Sequence, residues 1–368
     1  MTKVVQLSSV HHSRDTRIFY KICRSLVDKG YSVDLIIQHD KDEDIDGLNI
    51  ISLPIAKNKS DRFFLILPKL IKKLLTYKKG TIVHFHDPEL IPIGIILKLM
   101  GYKVIYDVHE DVPKTILEKD WIWTPLRRII ALISATFESI GNIFFDATIV
   151  VTKAIGGRFS KKVTLVQNYP ILNHRQTESN THKKRKDLFY VGSITLVRGI
   201  FEMLEAVSMV NLELPIQLKL AGSFNPQTLE KQIRKSNGWE NTDFIGQINR
   251  DQLKKIAESS LLGLVIFHPI PNHIEAQPNK LFEYMQYGLP IVGSRFDLWK
   301  DIVEKNNCGI LVDPLNPKEI SEAIKWIYEH PKEAKMMGEN GKRAVFEKYN
   351  WQAEEKKLFE LYEKISSE

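Results

Sequence analysis

Two consecutive α/β domains, each built on a parallel sheet, are the fold this chain predicts, and three observations predict it. Short β-branched, apolar runs bounded by turn residues alternate with longer stretches of helical periodicity. The alternation breaks once, at a polar stretch near the middle, and then restarts. The length of 368 residues suits about two domains. Strand, helix, strand at this spacing implies right-handed crossovers and parallel strands covered on both faces.

The first half carries the strand-like runs Val4–Ser8, Val33–Ile37, Ile50–Pro54, Thr81–His86, Val104–His109, Thr148–Thr152 and Val163–Val166. Between them, Arg17–Lys29, Phe63–Tyr77 and Leu126–Phe145 have helical periodicity. Asn173–Lys186 (NHRQTESNTHKKRK) is polar throughout and reads as an exposed linker. Strands then resume at Leu188–Val191, Leu218–Ala221, Phe244–Ile245, Leu262–Phe267, Ile291–Gly293 and Ile310–Val312. These shifts predict a first domain over 1–170, a linker over 171–187 and a second domain over 188–348. In the last segment, 349–368, Leu358, Leu361, Tyr362 and Ile365 fall on one face of a helix Trp351–Ile365. That face must bury itself, and a return to the first domain is expected. Two such domains would face one another across a cleft at the carboxyl ends of their sheets, where these folds bind ligands.

Composition excludes several classes. With 43% hydrophobic and 26% charged residues the chain is not disordered. Cys23 and Cys308 are far apart and form no CxxC, which argues against a disulfide framework or a cysteine zinc site and for a reducing compartment. No apolar run approaches the roughly 20 residues of a membrane span, and MTKVVQLSS reads as a strand and not as a signal peptide. A cytoplasmic protein is expected. Its charge is uneven: residues 1–187 hold 30 Lys+Arg against 20 Asp+Glu, net +10, while 188–368 hold 22 against 25, net −3. The basic half suggests an anionic partner (membrane, nucleic acid or phosphorylated substrate), and a generally lysine-rich composition is the alternative.

The densest motif is NHIEAQPNKLFEYMQYGLPIVGS. It follows a buried-looking strand and predicts a helix beginning at Pro278 and ending before Gly288. Glu275 stands in the preceding loop and Glu283 inside the helix, with seven residues between them. Backbone N–H groups around Pro278–Lys280 would attract phosphate. Glu283 can accept from a vicinal diol such as ribose and Glu275 from sugar hydroxyls; an ordinary amphipathic helix with a solvated acid has the same spacing.

This stretch resembles the E-x7-E signature of retaining glycosyltransferases of family 4, which have the GT-B fold of two Rossmann-like domains. The P-N-K-L-F-E-Y-M-x-x-G-L-P-I-V run is similar to a bacterial branch that builds surface polysaccharides. HHSRDTRIFYKICRSLVDKGYSVDLI, VHFHDPEL, VIYDVHED, YVGSITLVRGIFEMLEAV, GSF, FIGQI and the terminal YNW…LYEKI resemble successive landmarks of the same family. The resemblance implies a nucleotide-sugar donor, UDP- or GDP-linked, a saccharide or lipid-linked acceptor, and no metal or other cofactor.

It also implies roles. Glu283 would hold the ribose and Glu275 the transferred sugar; Arg198, where the family has Lys, would face the diphosphate. Gly192 and Ser193 form the preceding loop, with Ser193 where many members have a second Arg. Lys280 either compensates for that Arg or is a surface residue. Gly246 to Ile248 would offer backbone groups to the base, and Pro278, Asn279, Lys280 and Leu281 the helix N-terminus to the phosphates. His109, in DVHE, is placed beside the sugar, with a hydrogen-bonded core histidine as the alternative. Asp15 and Arg17 occupy an acceptor-side loop where the family has paired glycines, and Asp15 equally suits a helix cap.

Other signals compete. His11, His12, His84 and His86 invite a metal, but their spacing matches no known site. Asp42–Glu43–Asp44 and Asp44–Ile45–Asp46 match the D-x-D of metal-dependent transferases, yet lie in a polar, hairpin-like turn. Arg62–Lys79 is a basic amphipathic segment suited either to an anionic membrane or to core packing with a solvated basic edge, and Trp121, Trp123, Arg127 and Arg128 form a second interfacial patch. Attachment at the inner face of the cytoplasmic membrane would suit both. A nucleotide-sugar epimerase, or a basic nucleic-acid or membrane-binding protein, are the competing functions; nucleic acid is disfavoured because no aromatic-interleaved basic platform exists.

Overall fold

The computed structural model describes residues 2–119, 122–172 and 185–367. The chain forms two compact units, one of residues 1–168 with 351–368, the other of 169–350.

The first unit holds strands β1 (Lys3–His12), β2 (Ser32–Gln38), β3 (Glu43–Ile45), β4 (Leu48–Leu53), β5 (Ile82–Phe85), β6 (Lys103–Val108), β7 (Ala147–Val150) and β8 (Val163–Leu165). They form one sheet in the order β3-β4-β2-β1-β5-β6-β7-β8. All neighbours pair in parallel except β3 with β4. That antiparallel pair is the acidic segment read as a hairpin-like turn, closed by Asp46 and Gly47, both at positive φ. Its D-x-D carboxylates are therefore edge-strand groups without the buried strand a metal centre needs.

Alternation along the inner strands sorts their side chains. Val5, Leu7, Val83, Phe85, Val104, Tyr106 and Val108 pack one core with Ile66, Leu70 and Leu74 of the helical segment after β4. The opposite face carries Gln6, His84 and Asp107, all fully buried, because successive side chains point to opposite faces. Against that face lie the helix over Thr16–Cys23 and Arg24–Asp28, which opens with π-type turns, and the last helix, Trp351–Ser367. Trp351 Nε1 donates to Ser25 Oγ at 2.8 Å, and Glu354 accepts from the Gln167 N–H at 2.9 Å.

The second unit holds β9 (Leu188–Val191), β10 (Leu218–Ala221), β11 (Thr242–Gly246), β12 (Leu262–Val265), β13 (Ile291–Ser294) and β14 (Gly309–Val312), in the order β11-β10-β9-β12-β13-β14, all parallel. Its boundaries differ slightly from the sequence reading. Tyr169 stacks edge-on against Phe282 at 4.8 Å, and Ile171 accepts from Gln286 at 2.8 Å, so these residues are anchored to the second unit. Asp187 accepts from the Leu261 N–H at 2.7 Å. The expected linker is thus pinned at both described ends; 173–184 lie outside the described residues. In both units a parallel sheet with helices on both faces makes a Rossmann-like domain.

Candidate active site

In the second unit, β9, β10 and β11 end side by side at Gly192, Gly222 and Gly246. Gly222 N–H donates to Gly246 O at 2.8 Å, and Gly192 N–H to Ala221 O at 3.0 Å. Gly222 has φ +141°, and a Cβ there would stand 1.8 Å from Gly192 O. Only glycine allows this approach. Gly192, at φ +131°, leaves space that a Cβ would fill 3.1 Å from Lys280 Nζ and 3.7 Å from Arg198 Nη1. The hollow beside Gly192 is therefore lined by two cations.

Those cations arrive from different elements. Arg198 ends a 3-10 turn, Leu196–Arg198, before Gly199 at φ +65° and the helix Ile200–Asn211. Its guanidinium lies over the Phe267 ring at 5.5 Å, with Nη1 3.4 Å from Ser193 O. Lys280 lies in the helix Asn279–Tyr287, for which Pro278 is the N-cap residue, so the helix starts one position later than predicted. Lys280 is 7% exposed, so it is not a surface lysine. Its Nζ sits 3.6 Å above the Tyr190 ring and has no hydrogen-bond partner among the described residues. Burial, with Arg198 beside it, drives its ammonium well below the usual lysine range, and the Glu283 carboxylate opposes this. Tyr284 holds the helix in place: its hydroxyl accepts from the Val191 N–H at 2.9 Å while its ring packs against Gly263. A buried, unpartnered amine beside a guanidinium and a helix N-terminus is a site made for an anion.

Around this hollow, Glu275 is exposed and Glu283 half-buried. Trp299 Nε1 donates to Ala276 O at 2.8 Å and fixes the Glu275 loop. Ile248 packs on the core beneath, and Leu281 is buried in it. His268 Nε2 lies 3.0 Å from Glu202 Oε1. The His273 imidazole is pushed down to about 4, first by burial and then by Arg198, His268 and Lys280 nearby, outweighing its hydrogen bond to His268 O.

The first unit gathers a different cluster at the carboxyl ends of β1, β5 and β6. Arg17 grips Asp107 with Nε to Oδ2 and Nη2 to Oδ1, both at 2.8 Å, and donates to Val166 O at 3.0 Å. The pair is buried. Burial alone would raise the Asp107 carboxyl, but Arg17 and His109 overcome it and hold it well below the usual range. His109 Nε2 lies 3.1 Å from Asp107 Oδ2 and 3.0 Å from His86 Nδ1. His86 and His84 are both fully buried, and burial lowers both imidazoles, His86 the more. Nearby, His11 sits 3.4 Å from Asp15 and 3.6 Å from Asp87. Burial works against its proton, but these carboxylates, with Asp107, raise its affinity for one.

Two sequence readings change here. Asp15 caps its helix, accepting from Arg17 and Ile18 N–H, and Arg17 points inward to Asp107, not toward an acceptor. The metal reading keeps only two of the four histidines singled out: His84 and His86, with Asp107, offer ligand atoms within 4.8 Å of one another. Asp107 is already gripped by the Arg17 fork, however, and a divalent ion would have to share that carboxylate with a guanidinium in a buried, low-dielectric setting. Asp107, Gln6 and Glu202 went unrecognised as site residues. Their signal was a polar side chain at an inward position of an otherwise apolar strand or helix.

The chain matches two family models end to end: Glycosyltransferase Family 4 over residues 16–165 and Glycosyl transferases group 1 over residues 173–344. It is 21% identical over 315 residues to the MMP alpha-(1->4)-mannosyltransferase of Mycolicibacterium hassiacum, covering 79% of this chain and 73% of that one. Among solved structures, sucrose-phosphate synthase of Thermosynechococcus elongatus superposes with TM-score 0.78 at 18% identity over 100% of both chains. Anabaena Alr3699/HepE, solved in complex with UDP-glucose, gives TM-score 0.72 at 13% identity, again over 100% of both chains. The fold is GT-B, and the chain is a glycosyltransferase.

Proposed function

We propose that the protein is a retaining hexosyltransferase, moving a hexose or N-acetylhexosamine from a nucleotide-sugar donor to a saccharide or lipid-linked saccharide in surface polysaccharide biosynthesis. The observation that carries the donor assignment is the unpartnered Lys280 amine beside Arg198 at the start of the helix Asn279–Tyr287. On this reading the diphosphate fills the hollow at Gly192 and Ser193, held by Arg198, Lys280 and the N–H groups of Asn279 and its neighbours. Glu283 holds the ribose, Gly246 and Ile248 flank the base, and Glu275 and His109 touch the transferred sugar. Alr3699/HepE, with its UDP-glucose, and the mannosyltransferase relative both support a nucleotide-linked hexose.

The chemistry follows from this inventory. Two fixed cations and a helix N-terminus stabilise the charge that develops on the departing diphosphate, so the reading requires no divalent ion. Glu275, Glu283 and His109 are all assigned to the donor, so this reading assigns no residue as base for the acceptor hydroxyl. In a front-face transfer the leaving phosphate oxygen takes that proton, and the protein positions both substrates. An α-configured donor then yields an α-linked product. NMR assignment of the product anomer tests this: a β-linkage refutes retention. Isothermal titration with UDP and GDP tests the donor site, because Glu283→Ala should weaken nucleotide binding about tenfold or more. Unchanged affinity refutes the assignment.

We also propose attachment to an anionic membrane. On the helix Thr124–Phe144, Leu126, Ile129, Leu132, Ile133, Phe137 and Ile140 are exposed, and its one acid, Glu138, is buried against Arg158. The Arg62–Lys79 segment buries Ile66, Leu70 and Leu74 while exposing Phe64, Leu65, Ile71 and Leu75 among lysines. Trp123 is exposed as well; Trp121 lies outside the described residues. Apolar surface interspersed with bases suits anionic headgroups. Co-sedimentation with phosphatidylglycerol vesicles but not with phosphatidylcholine vesicles is expected, and equal recovery from both would refute it.

A further inference from the structure

The histidine cluster of the first unit leads by hydrogen bonds to the last helix of the chain. Gln6 Nε2 donates to Tyr362 Oη at 2.9 Å and lies 3.2 Å from His84 Nδ1, while Tyr362 Oη lies 2.7 Å from that same nitrogen. Gln6 Oε1 lies 2.9 Å from His86 Nε2. His86 Nδ1 then meets His109 Nε2 at 3.0 Å. Donor and acceptor chemistry sets the protons along this chain. An amide oxygen only accepts, so His86 carries its proton on Nε2 and leaves Nδ1 bare. His109 must then donate from Nε2, which also faces Asp107 Oδ2 at 3.1 Å. At the other end, Tyr362 accepts from Gln6 and donates to His84 Nδ1, so the His84 proton is on Nε2, 3.8 Å from the same carboxylate oxygen.

Asp107 decides between this arrangement and its reverse. Turning the Gln6 amide over would swap the tautomers and aim two bare nitrogens, His84 Nε2 and His109 Nε2, at a carboxylate already held ionised by Arg17. In the arrangement described, His109 directs an N–H at it from 3.1 Å and His84 from 3.8 Å, and one bare nitrogen, His86 Nδ1 at 3.3 Å, faces it instead of two. The network therefore has one favoured state, and only His109 reaches its edge: its side chain is 18% exposed, against 0% for His84 and His86. Its Nδ1 has no hydrogen bond among the described residues.

We propose that Gln6, His86 and Tyr362 are positioning residues that hold His109 as its Nε2–H tautomer, presenting the bare Nδ1 to a substrate hydroxyl. The hydroxyl must then act as donor to His109, which fixes the orientation of the sugar. The C-terminal helix, some 250 residues away in sequence from His109, thereby sets which nitrogen the site offers. This rests on the assignment of His109 to the sugar.

Histidine-selective ¹⁵N NMR on the ligand-free protein tests the relay without any activity. Wild type should show Nε2–H tautomer signals for His86 and His109. Gln6→Met should give mixed tautomers at His109, and Gln6→Glu, which keeps an acceptor opposite His86, should restore the wild-type pattern. If Gln6→Met does not fold, Tyr362→Phe keeps the ring and removes only the hydroxyl, and should loosen the His109 signal in the same direction. An Nδ1–H tautomer in wild type, or an unchanged His109 in a folded variant, overturns the proposal. In turnover, Gln6→Met should lower kcat about tenfold while leaving nucleotide affinity within about twofold. Unchanged kcat with a scrambled tautomer overturns the functional half of the proposal. Loss of nucleotide binding in Glu283→Ala is read separately, so a failed relay and a failed donor site remain distinguishable.

Discussion

The two units concentrate charge in opposite ways. In the first, the buried carboxylate of Asp107 meets a bidentate Arg17, and its histidine neighbours are tied to Gln6 and Tyr362. In the second, Arg198 and Lys280 converge on a glycine-lined hollow, and the Lys280 amine has no hydrogen-bond partner among the described residues. A buried charge that is matched internally holds its surroundings in one geometry, whereas a buried donor left unmatched costs stability until something binds it. The contrast is one of degree: Arg17 makes three hydrogen bonds through Nε and Nη2 and leaves only Nη1 unpaired among the described residues, whereas Lys280 Nζ makes none, although the two are almost equally buried, 3% and 7% exposed.

The largest expected effect comes from breaking the matched pair. Arg17→Ala leaves Asp107 charged, buried and without its guanidinium, and should destabilise the protein by about 3 to 5 kcal/mol in chemical denaturation. Replacing both partners, Arg17→Met with Asp107→Leu, should cost less than the single change. A double variant no more stable than Arg17→Ala would mean the pair is not the principal constraint there.

The unmatched cation should behave in the opposite sense. Lys280→Met removes an orphaned donor and should raise the stability of the ligand-free protein by about 1 to 3 kcal/mol. The same change removes a charge-assisted contact of about 1.5 to 3 kcal/mol and should weaken nucleotide binding tenfold or more. Thermal melts with and without UDP or GDP check both halves. Reduced stability without ligand would show that Lys280 is an internally satisfied core residue and that the contrast between the units is false.

Much of this was legible in the sequence, and what was not has physical reasons. Strands of parallel sheets are mostly apolar, so thirteen of the fourteen strands among the described residues were marked by their runs. The exception, Glu43–Ile45, is polar because it forms a sheet edge. The family motif pointed to Glu283, Arg198 and Lys280, but whether Lys280 was buried depended on tertiary packing. Its position one turn before the buried Tyr284 placed it on the inward face, a signal outweighed by the expectation that lysines are solvated. Arg17 and Asp107 are 90 residues apart, and no local pattern links them. The inward polar positions Gln6, His84 and Asp107 could have been read from period-two alternation alone, yet their mutual contacts needed the strand register that pairs Gln6 with His84.

The smallest effect is the most discriminating, because it has two slopes of opposite sign. Burial and Arg198 depress the Lys280 ammonium in the folded, ligand-free protein, whereas the unfolded chain keeps an ordinary lysine near 10.5. Between the depressed value and the ordinary one, the unfolded state binds more protons than the folded state. Ligand-free stability attributable to this group should therefore rise with pH through that window, by at most about 1.4 kcal/mol per pH unit. A bound diphosphate supplies the missing counter-charge and restores the proton, so binding in the same window takes up a proton. Nucleotide affinity should then fall as pH rises, by at most about tenfold per unit. Titration calorimetry in buffers of different ionisation enthalpy measures the proton uptake directly, and denaturant melts over the same pH range give the other slope. In Lys280→Met both contributions should vanish together. If affinity were flat with pH in wild type, or if the variant kept the wild-type slope, Lys280 would not be the proton-accepting cation of the diphosphate site.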